Sequence, residues 1–185
     1  MWFKKSLIFS WNICTFLWIQ VEALDYVIHF DRIENIKGEN EDLVNFTDWE
    51  IEGRGSNYLV NGNFTFETDM DDLITHELKF EISPFRNNAF MVNSIHRNSV
   101  CDYYKKNYKE FAEKIMMGHT NFPEIPPGGL CPIPKGNYYI KDAVLDEKDL
   151  PKILARGLWR INKKFFKGKK CIGGVTIYAD VKNKE

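Results

Sequence analysis

The residue types that most often do chemistry are scattered along this chain. Its histidines stand singly, at His29, His76, His96 and His119. None belongs to the His-x-Glu, paired-His or Cys-x-x-Cys spacings that hold zinc. No Gly-x-Ser-x-Gly elbow of a serine hydrolase occurs, and no glycine-rich phosphate loop. We therefore expect no catalytic residues, no metal and no cofactor, although a nucleophile assembled across strands would leave no local pattern.

Aromatic side chains are more informative. The chain has 14 Phe, 8 Tyr and 5 Trp among 185 residues, and several fall at inward positions of predicted strands. Such rings either fill a sandwich core or line a hollow that accepts an acyl chain or hydrocarbon, and both alternatives stay open here. The residues predicted to line this interior are Phe64, Phe66, Leu78, Phe80, Phe90, Tyr138, Ile140, Trp159 and Ile177.

A basic segment with two adjacent aromatic residues lies near the end of the chain. It spans residues 162–170, and we expect it to form the hairpin between the last two strands. Phenylalanine dipping into a lipid interface, with lysines reaching anionic headgroups, would make this segment a membrane contact. The alternative is a solvated basic turn with one Phe tucked inward. The residues concerned are Lys163, Lys164, Phe165, Phe166 and Lys167.

The first residues have the architecture of a secretory signal peptide. Lys4 and Lys5 precede a largely apolar run from Ser6 to Ile19, and cleavage after Ala23 is expected. An uncleaved signal anchor is the alternative, but the apolar run is short for a spanning helix. We thus predict a signal peptide at 1–23 and one secreted domain at 24–185.

Secretion bears on the sequons and the cysteines that remain. Asn45 and Asn63 each begin an Asn-x-Thr sequon and are candidate glycosylation sites. Cys101 and Cys131 are the expected disulfide pair, which would tie the start of a helix to a Cys-Pro turn. Cys171 would then be buried and free, or bridge to another chain. The formal net charge of −1 argues against nucleic acid as a partner.

The elements that must position these residues are mostly strands. Period-two patterns predict strands near residues 25–30, 49–52, 58–66, 74–82, 90–93, 138–140, 157–161 and 172–181. Asn61-Gly62 is either a hairpin signal or part of one long strand, which the register favours. The strands near 138–140 and 157–161 are expected to be adjacent.

One stretch switches to the helical period. Tyr104, Tyr108, Phe111, Ala112 and Ile115 lie on one stripe, and Asp102 can cap the helix, which we place at about 102–117. Short strands, Gly/Pro turns and one inserted helix predict a mainly β fold. We expect a two-sheet antiparallel β-sandwich or β-cup, similar to the immunoglobulin sandwich.

The C-terminal half carries an ordered set of motifs. They are Cys131-Pro132, Gly136-x-Tyr138, Leu150-Pro151 and Gly157-x-Trp159-Arg160. Over about residues 90–181 this set resembles the insect CheB gustatory proteins, and through them the ML lipid-recognition superfamily that includes the ganglioside activator protein. Most ML proteins carry more disulfides than this chain.

The resemblance implies a fold and a function. The ML fold is a two-sheet sandwich whose sheets splay to admit lipid. Resemblance to CheB proteins implies a secreted, non-enzymatic binder of a lipid or cuticular hydrocarbon in insect pheromone detection, with a sensory-neuron receptor or sodium channel as a further partner. An extracellular interaction protein with a solid core, and a lipid-active hydrolase, are the alternatives.

Overall fold

Eight strands and one short helix make up the computed structural model, which describes residues 26–54, 57–106, 116–126, 128–146, 150–151 and 154–184. The elements in chain order are β1 (Tyr26–Ile36), β2 (Val44–Arg54), β3 (Asn57–Phe66), β4 (Ile74–Ser83), β5 (Met91–Ser99), α1 (Val100–Lys106), β6 (Gly136–Asp146), β7 (Gly157–Lys167) and β8 (Lys170–Asn183). The predicted mainly β fold with one helix is confirmed. The predicted signal peptide lies outside the described residues.

Hydrogen bonding connects all eight strands through β8. On one side β8 pairs with β7, which continues to β4 and the edge strand β5. On its other side β8 pairs with β1 along most of its length and with β2 only at its start, where Val44 lies opposite Gly173. β2 then pairs with β3, and β3 with β6. We call β5-β4-β7-β8-β1 the larger layer and β2-β3-β6 the smaller layer.

Contacts between side chains show that the two layers face each other. Phe66 on β3 and Phe165 on β7 are three strands apart, which in a flat sheet would separate them by roughly 14 Å. Their ring centroids are 6.2 Å apart. Phe30 on β1 and Tyr58 on β3 are 5.3 Å apart for the same reason. The sheet therefore folds over at β8 and encloses its apolar side chains, as expected for a sandwich or cup.

The longest period-two pattern forms one strand. Tyr58, Val60, Phe64 and Phe66 are buried while their neighbours are more exposed, so Asn61-Gly62 is not a hairpin turn. Gly62 lies beneath the indole of Trp49, and a Cβ there would come within 2.5 Å of that ring. The glycine thus makes room for an aromatic ring within the smaller layer.

Two expectations about local structure were wrong. The strands near 138–140 and 157–161 are not neighbours, because β6 pairs with β3 in the smaller layer whereas β7 lies between β4 and β8. The helix begins at Val100 and is capped by Ser99 instead of the expected Asp102. The Ser99 hydroxyl accepts a hydrogen bond from the Asp102 backbone amide at 3.0 Å. Most of the predicted continuation of the helix, residues 107–115, lies outside the described residues.

The predicted disulfide is confirmed. Cys101 and Cys131 form a disulfide with Cα atoms 5.5 Å apart, which ties the start of α1 to the chain before β6. Cys171 is free and buried at the start of β8. Within the described part of the chain, no helix is long and apolar enough to cross a membrane.

We expect the fold-over to depend on Gly173. Its φ is +133°, and a Cβ there would overlap the carbonyl oxygen of Val44. Gly173→Ala should therefore lower the free energy of unfolding by at least about 2 kcal/mol in urea denaturation. Gly168→Ala is the matched control, because Gly168 also has a positive φ but open space around it, and it should cost only about 1 kcal/mol. Equal losses for the two variants would contradict a close contact at this crossing.

Candidate ligand site inside the sandwich

One end of the interior is filled by aromatic rings in mutual contact. Phe64 lies 5.3 Å from Tyr138 and 5.8 Å from Phe122, measured between ring centroids. Phe66 and Ile140 are also buried in this cluster. Four of the predicted cavity-lining residues, Phe64, Phe66, Tyr138 and Ile140, thus pack against protein atoms here, as in an ordinary core.

The inner face of the larger layer is less completely covered. Strand register aligns Phe80 on β4, Ile161 on β7, Ile177 on β8 and Ile33 on β1 in one row. All four side chains are only partly buried. We call these four residues the apolar row. It crosses four strands, and two of its members, Phe80 and Ile177, were predicted to line a cavity.

Three predicted lining residues remain: two lie beside this row and one lies on the opposite face of the layer. Leu78 lies next to the row on β4 and is partly buried, and Trp159 lies next to it on β7 and is buried. Phe90 was predicted to face inward, and this is wrong. Its ring lies on the outer side of the larger layer, 4.5 Å from the Arg160 guanidinium, because the chain before β5 turns over that surface.

A lysine lies on this inner face. Strand alternation places Lys163 on the same side of β7 as Trp159 and Phe165, both of which are buried. Its ammonium is 5.2 Å from the centroid of the Tyr103 ring and 5.6 Å from that of Phe165. Burial lowers the pKa of Lys163 to about 8. Among the described residues it has no ion-pair partner, so cation–π contacts are its main compensation.

A histidine lies beside this lysine. His76 is 2% exposed, and neither of its ring nitrogens has a hydrogen-bond partner among the described residues. Its ring is 4.4 Å from Tyr103 and 6.3 Å from Phe165. Burial, together with the positive charge of Lys163, lowers the pKa of His76 to about 4, so the imidazole is neutral at pH 7. In the sequence, His76 falls on the apolar side of the period-two pattern Ile74, His76, Leu78, Phe80.

The interior position of Lys163 was missed. The sequence pattern ended the strand at Ile161 and assigned the lysines to a turn, whereas β7 continues to Lys167 and the turn is at Gly168-Lys169. Its inward direction is indicated by the period-two order of the strand, in which Lys163 falls in the series Trp159, Ile161, Lys163, Phe165. Tyr103 and Ile33 also belong to the interior surface and were not singled out.

The predicted membrane contact is corrected in part. Phe165 is 1% exposed, so it cannot dip into a lipid interface, and Lys163 faces the interior with it. Phe166 faces outward, where the Arg97 guanidinium lies 4.7 Å from its ring centroid. Lys164 also faces outward, Lys167 is exposed at the end of β7, and a membrane contact by them stays a prediction.

On the outer face of the same strands, the buried carboxylate of Glu81 has polar partners for both of its oxygens. Glu81 receives hydrogen bonds from Arg160 and Asn162, both at 2.8 Å, and its other oxygen lies 2.8 Å from the Lys79 ammonium. Burial alone would raise the pKa of Glu81, but the hydrogen bonds from Arg160 and Lys79 outweigh it and lower that pKa to about 2. A groove of about 690 Å³ lies nearby, lined by Phe90, Arg160, Tyr178 and Arg32 among others.

The two sequons face each other. In the register of β2 and β3, Asn45 lies opposite Thr65 and Asn63 lies opposite Thr47. Asn63 is exposed, and Asn45 is partly buried with its amide donating to the Asp42 carbonyl at 3.3 Å. Glycosylation at either position stays a prediction.

A family model described as "Protein of unknown function (DUF1091)" matches residues 77–161, from β4 to the middle of β7. That segment includes the disulfide, α1 and Phe80. No curated protein matches the sequence.

Two crystal structures of wild-type OgpA from Akkermansia muciniphila are similar to this chain at 13% identity, with a TM-score of 0.30. The match covers 80% of this chain but only 30% and 29% of the OgpA chain. Similarity this low informs neither the fold nor the function.

We expect Lys163 to lower the stability of the unliganded protein. Its pKa is about 8 when folded, against 10.5 for the unperturbed side chain, so keeping it charged at pH 7 costs free energy. Lys163→Met should raise the free energy of unfolding at pH 7 by about 1–3 kcal/mol. Above pH 8 the folded protein loses this proton before the unfolded chain does. Wild-type stability should therefore rise toward pH 10, and the advantage of the variant should shrink.

Urea denaturation at pH 7 and pH 10 checks this expectation. Lys164→Met is the matched control, since its side chain faces outward on the same strand, and it should change stability by less than about 0.5 kcal/mol. A Lys163→Met protein less stable than wild type at pH 7 would show that the lysine stabilises the fold.

The two adjacent phenylalanines should differ sharply. Phe165→Ala removes a ring that packs against Phe46 and Phe66, and should cost about 3–5 kcal/mol. Phe166→Ala, on the outer face of the same strand, should cost much less. Thermal or urea unfolding of the two variants gives the comparison, and similar losses would contradict the inward orientation of Phe165 alone.

Proposed function

We propose that this protein is a secreted, non-enzymatic carrier of a hydrophobic ligand. The apolar row supports this proposal most directly. Phe80, Ile161, Ile177 and Ile33 lie on the inner face of the larger layer, yet all are only partly buried. A surface of this kind is suited to an acyl or hydrocarbon chain, whose burial contributes roughly 25 cal/mol for each Å² of apolar area removed from water.

Resemblance to the CheB and ML proteins supports the same function and adds a setting. It favours a lipid or cuticular hydrocarbon as ligand, and insect chemosensation as the process. The disulfide between Cys101 and Cys131 fits an oxidising compartment such as the extracellular space. In that setting the loaded carrier would deliver its ligand to a sensory-neuron receptor or modulate a sodium channel.

A hydrolase is a weaker alternative. His76 is the buried histidine of the interior, but its ring nitrogens have no hydrogen-bond partner among the described residues. A general base is normally oriented by a carboxylate or carbonyl and lies within reach of a nucleophile. The contacts of His76 are with aromatic rings instead, which favours binding over catalysis.

An interaction protein without a ligand is favoured by a different observation. The edge strand β5 and the turn before it carry exposed apolar side chains, with Phe85 83%, Met91 56% and Ile95 53% exposed. A partner protein could cover such a surface or pair with the edge strand. In this alternative the function depends on β5 and not on the interior.

Native mass spectrometry of protein purified from its own tissue separates these functions. A carrier should retain an additional mass in the range of a lipid or hydrocarbon, which organic extraction removes. Enzymatic deglycosylation is the control, because it removes only the mass of glycans at the sequons. Protein without any extractable mass, which also takes up no hydrocarbon after incubation, would contradict a carrier and favour the interaction protein.

A further inference from the structure

The apolar row passes beside a positive charge. On β7, Ile161 belongs to the row and Lys163 is the next residue on the same face. His76 lies across from Phe165 on the neighbouring strand β4. A chain that lies across Ile177 and Ile161 and then turns along β7 would therefore bring one of its ends to an ammonium and an imidazole.

Lys163 and His76 lack the hydrogen-bonded and charged partners that Glu81 has on the outer face. On the outer face of β4 and β7, three side chains pair with the single buried carboxylate of Glu81. On the inner face, the Lys163 ammonium lies near two aromatic rings and has no ion-pair partner among the described residues, and both ring nitrogens of His76 are buried without a hydrogen-bond partner there. Buried polar atoms without partners, such as the two ring nitrogens of His76, are uncommon in folded proteins and need an explanation, which a bound ligand would supply.

The charges and donors define the missing group. Lys163 supplies one positive charge and up to three N–H donors, and the neutral imidazole of His76 carries one further N–H. A carboxylate brings one negative charge and two acceptor oxygens, which this set can satisfy together. A phosphate monoester brings nearly two negative charges, and the single cation of this site would leave one of them uncompensated in a largely apolar surrounding.

We propose that the ligand is a single-chain amphiphile with a carboxylate headgroup, a long-chain fatty acid, whose head binds Lys163 and His76 and whose tail lies along Phe80, Ile161 and Ile177. This inference rests on the proposed carrier function and specifies its ligand class. Tyr103 packs over both polar side chains, so it separates the headgroup from the solvent on the side of α1.

The test compares ligands that share a tail and differ in the head. Laurate, 1-dodecanol and dodecyl phosphate are titrated into delipidated full-length protein by calorimetry at pH 7, below their aggregation concentrations. Wild type should bind laurate about tenfold more tightly than dodecanol, the effect of one charged hydrogen-bonded contact. In Lys163→Met the two affinities should become equal, whereas Lys163→Arg should keep part of the preference. Lys164→Met, the outward-facing control, should behave as wild type does.

The preference for laurate should also depend on pH. The titratable groups at the site among the described residues are Lys163, His76, Tyr103 and His96, whose ring centroid lies 6.2 Å from that of Phe80. His76 has a pKa of about 4, and burial raises the pKa of Tyr103 above 10, so Lys163 is the group that loses charge above about pH 8. The advantage of laurate should fall between pH 8 and pH 10.5, while dodecanol affinity shows no matching change.

The outcomes separate this inference from the proposed function. If dodecanol binds but laurate binds no better, or if the preference survives in Lys163→Met, the headgroup assignment is overturned and the carrier function stands. Tighter binding of dodecyl phosphate than of laurate would overturn the carboxylate specificity. If no ligand with a dodecyl tail binds, the carrier function itself fails, and this inference fails with it.

Discussion

The architecture depends on how one strand, β8, is paired along both of its edges. β8 pairs with β7 on one side, and on the other side with β1 and, at its start, with β2. A strand has only two edges, so β1 and β2 must occupy successive parts of the same edge, and the sheet has to turn where one replaces the other. Gly173 lies at that crossing, where the carbonyl of Val44 leaves no room for a side chain. The turn brings Phe66 against Phe165 and creates the interior in which the candidate site lies.

The two faces of the larger layer differ in whether their polar side chains have polar partners. On the outer face, Glu81 is buried, and its carboxylate is paired with Arg160, Asn162 and Lys79. Its role is therefore structural. Inside, His76 is buried and Lys163 is partly buried, both beside aromatic rings. The desolvation of these groups lowers the stability of the unliganded protein. Apolar residues at both positions would make the unliganded protein more stable, so packing alone does not account for these two side chains.

Sequence patterns predicted the strands well where alternation was regular. Tyr58 to Phe66 shows why, since each buried residue is separated from the next by a more exposed one. Pairing between distant strands was not predictable in this way. β6 and β7 follow each other in sequence but belong to different layers, because period-two patterns fix which face is buried and not which strands are neighbours. Lys163 was misplaced for a chemical reason: a cluster of lysines is typical of a solvated turn, and only the register of Trp159 and Phe165 shows its inward direction.

The candidate site also depends on the disulfide. Cys101 is fixed to Cys131, 30 residues later in the chain, and closing a loop of that length stabilises the fold by roughly 3–4 kcal/mol in chain-entropy estimates. The bond holds the first turn of α1, and Tyr103 on that turn packs over His76 and Lys163. Without the bond, the helix start would be held mainly by its own apolar contacts and the Ser99 cap. The ring that shields the two polar groups would then be less firmly positioned, so the integrity of the site is linked to the oxidising compartment in which such a bond persists.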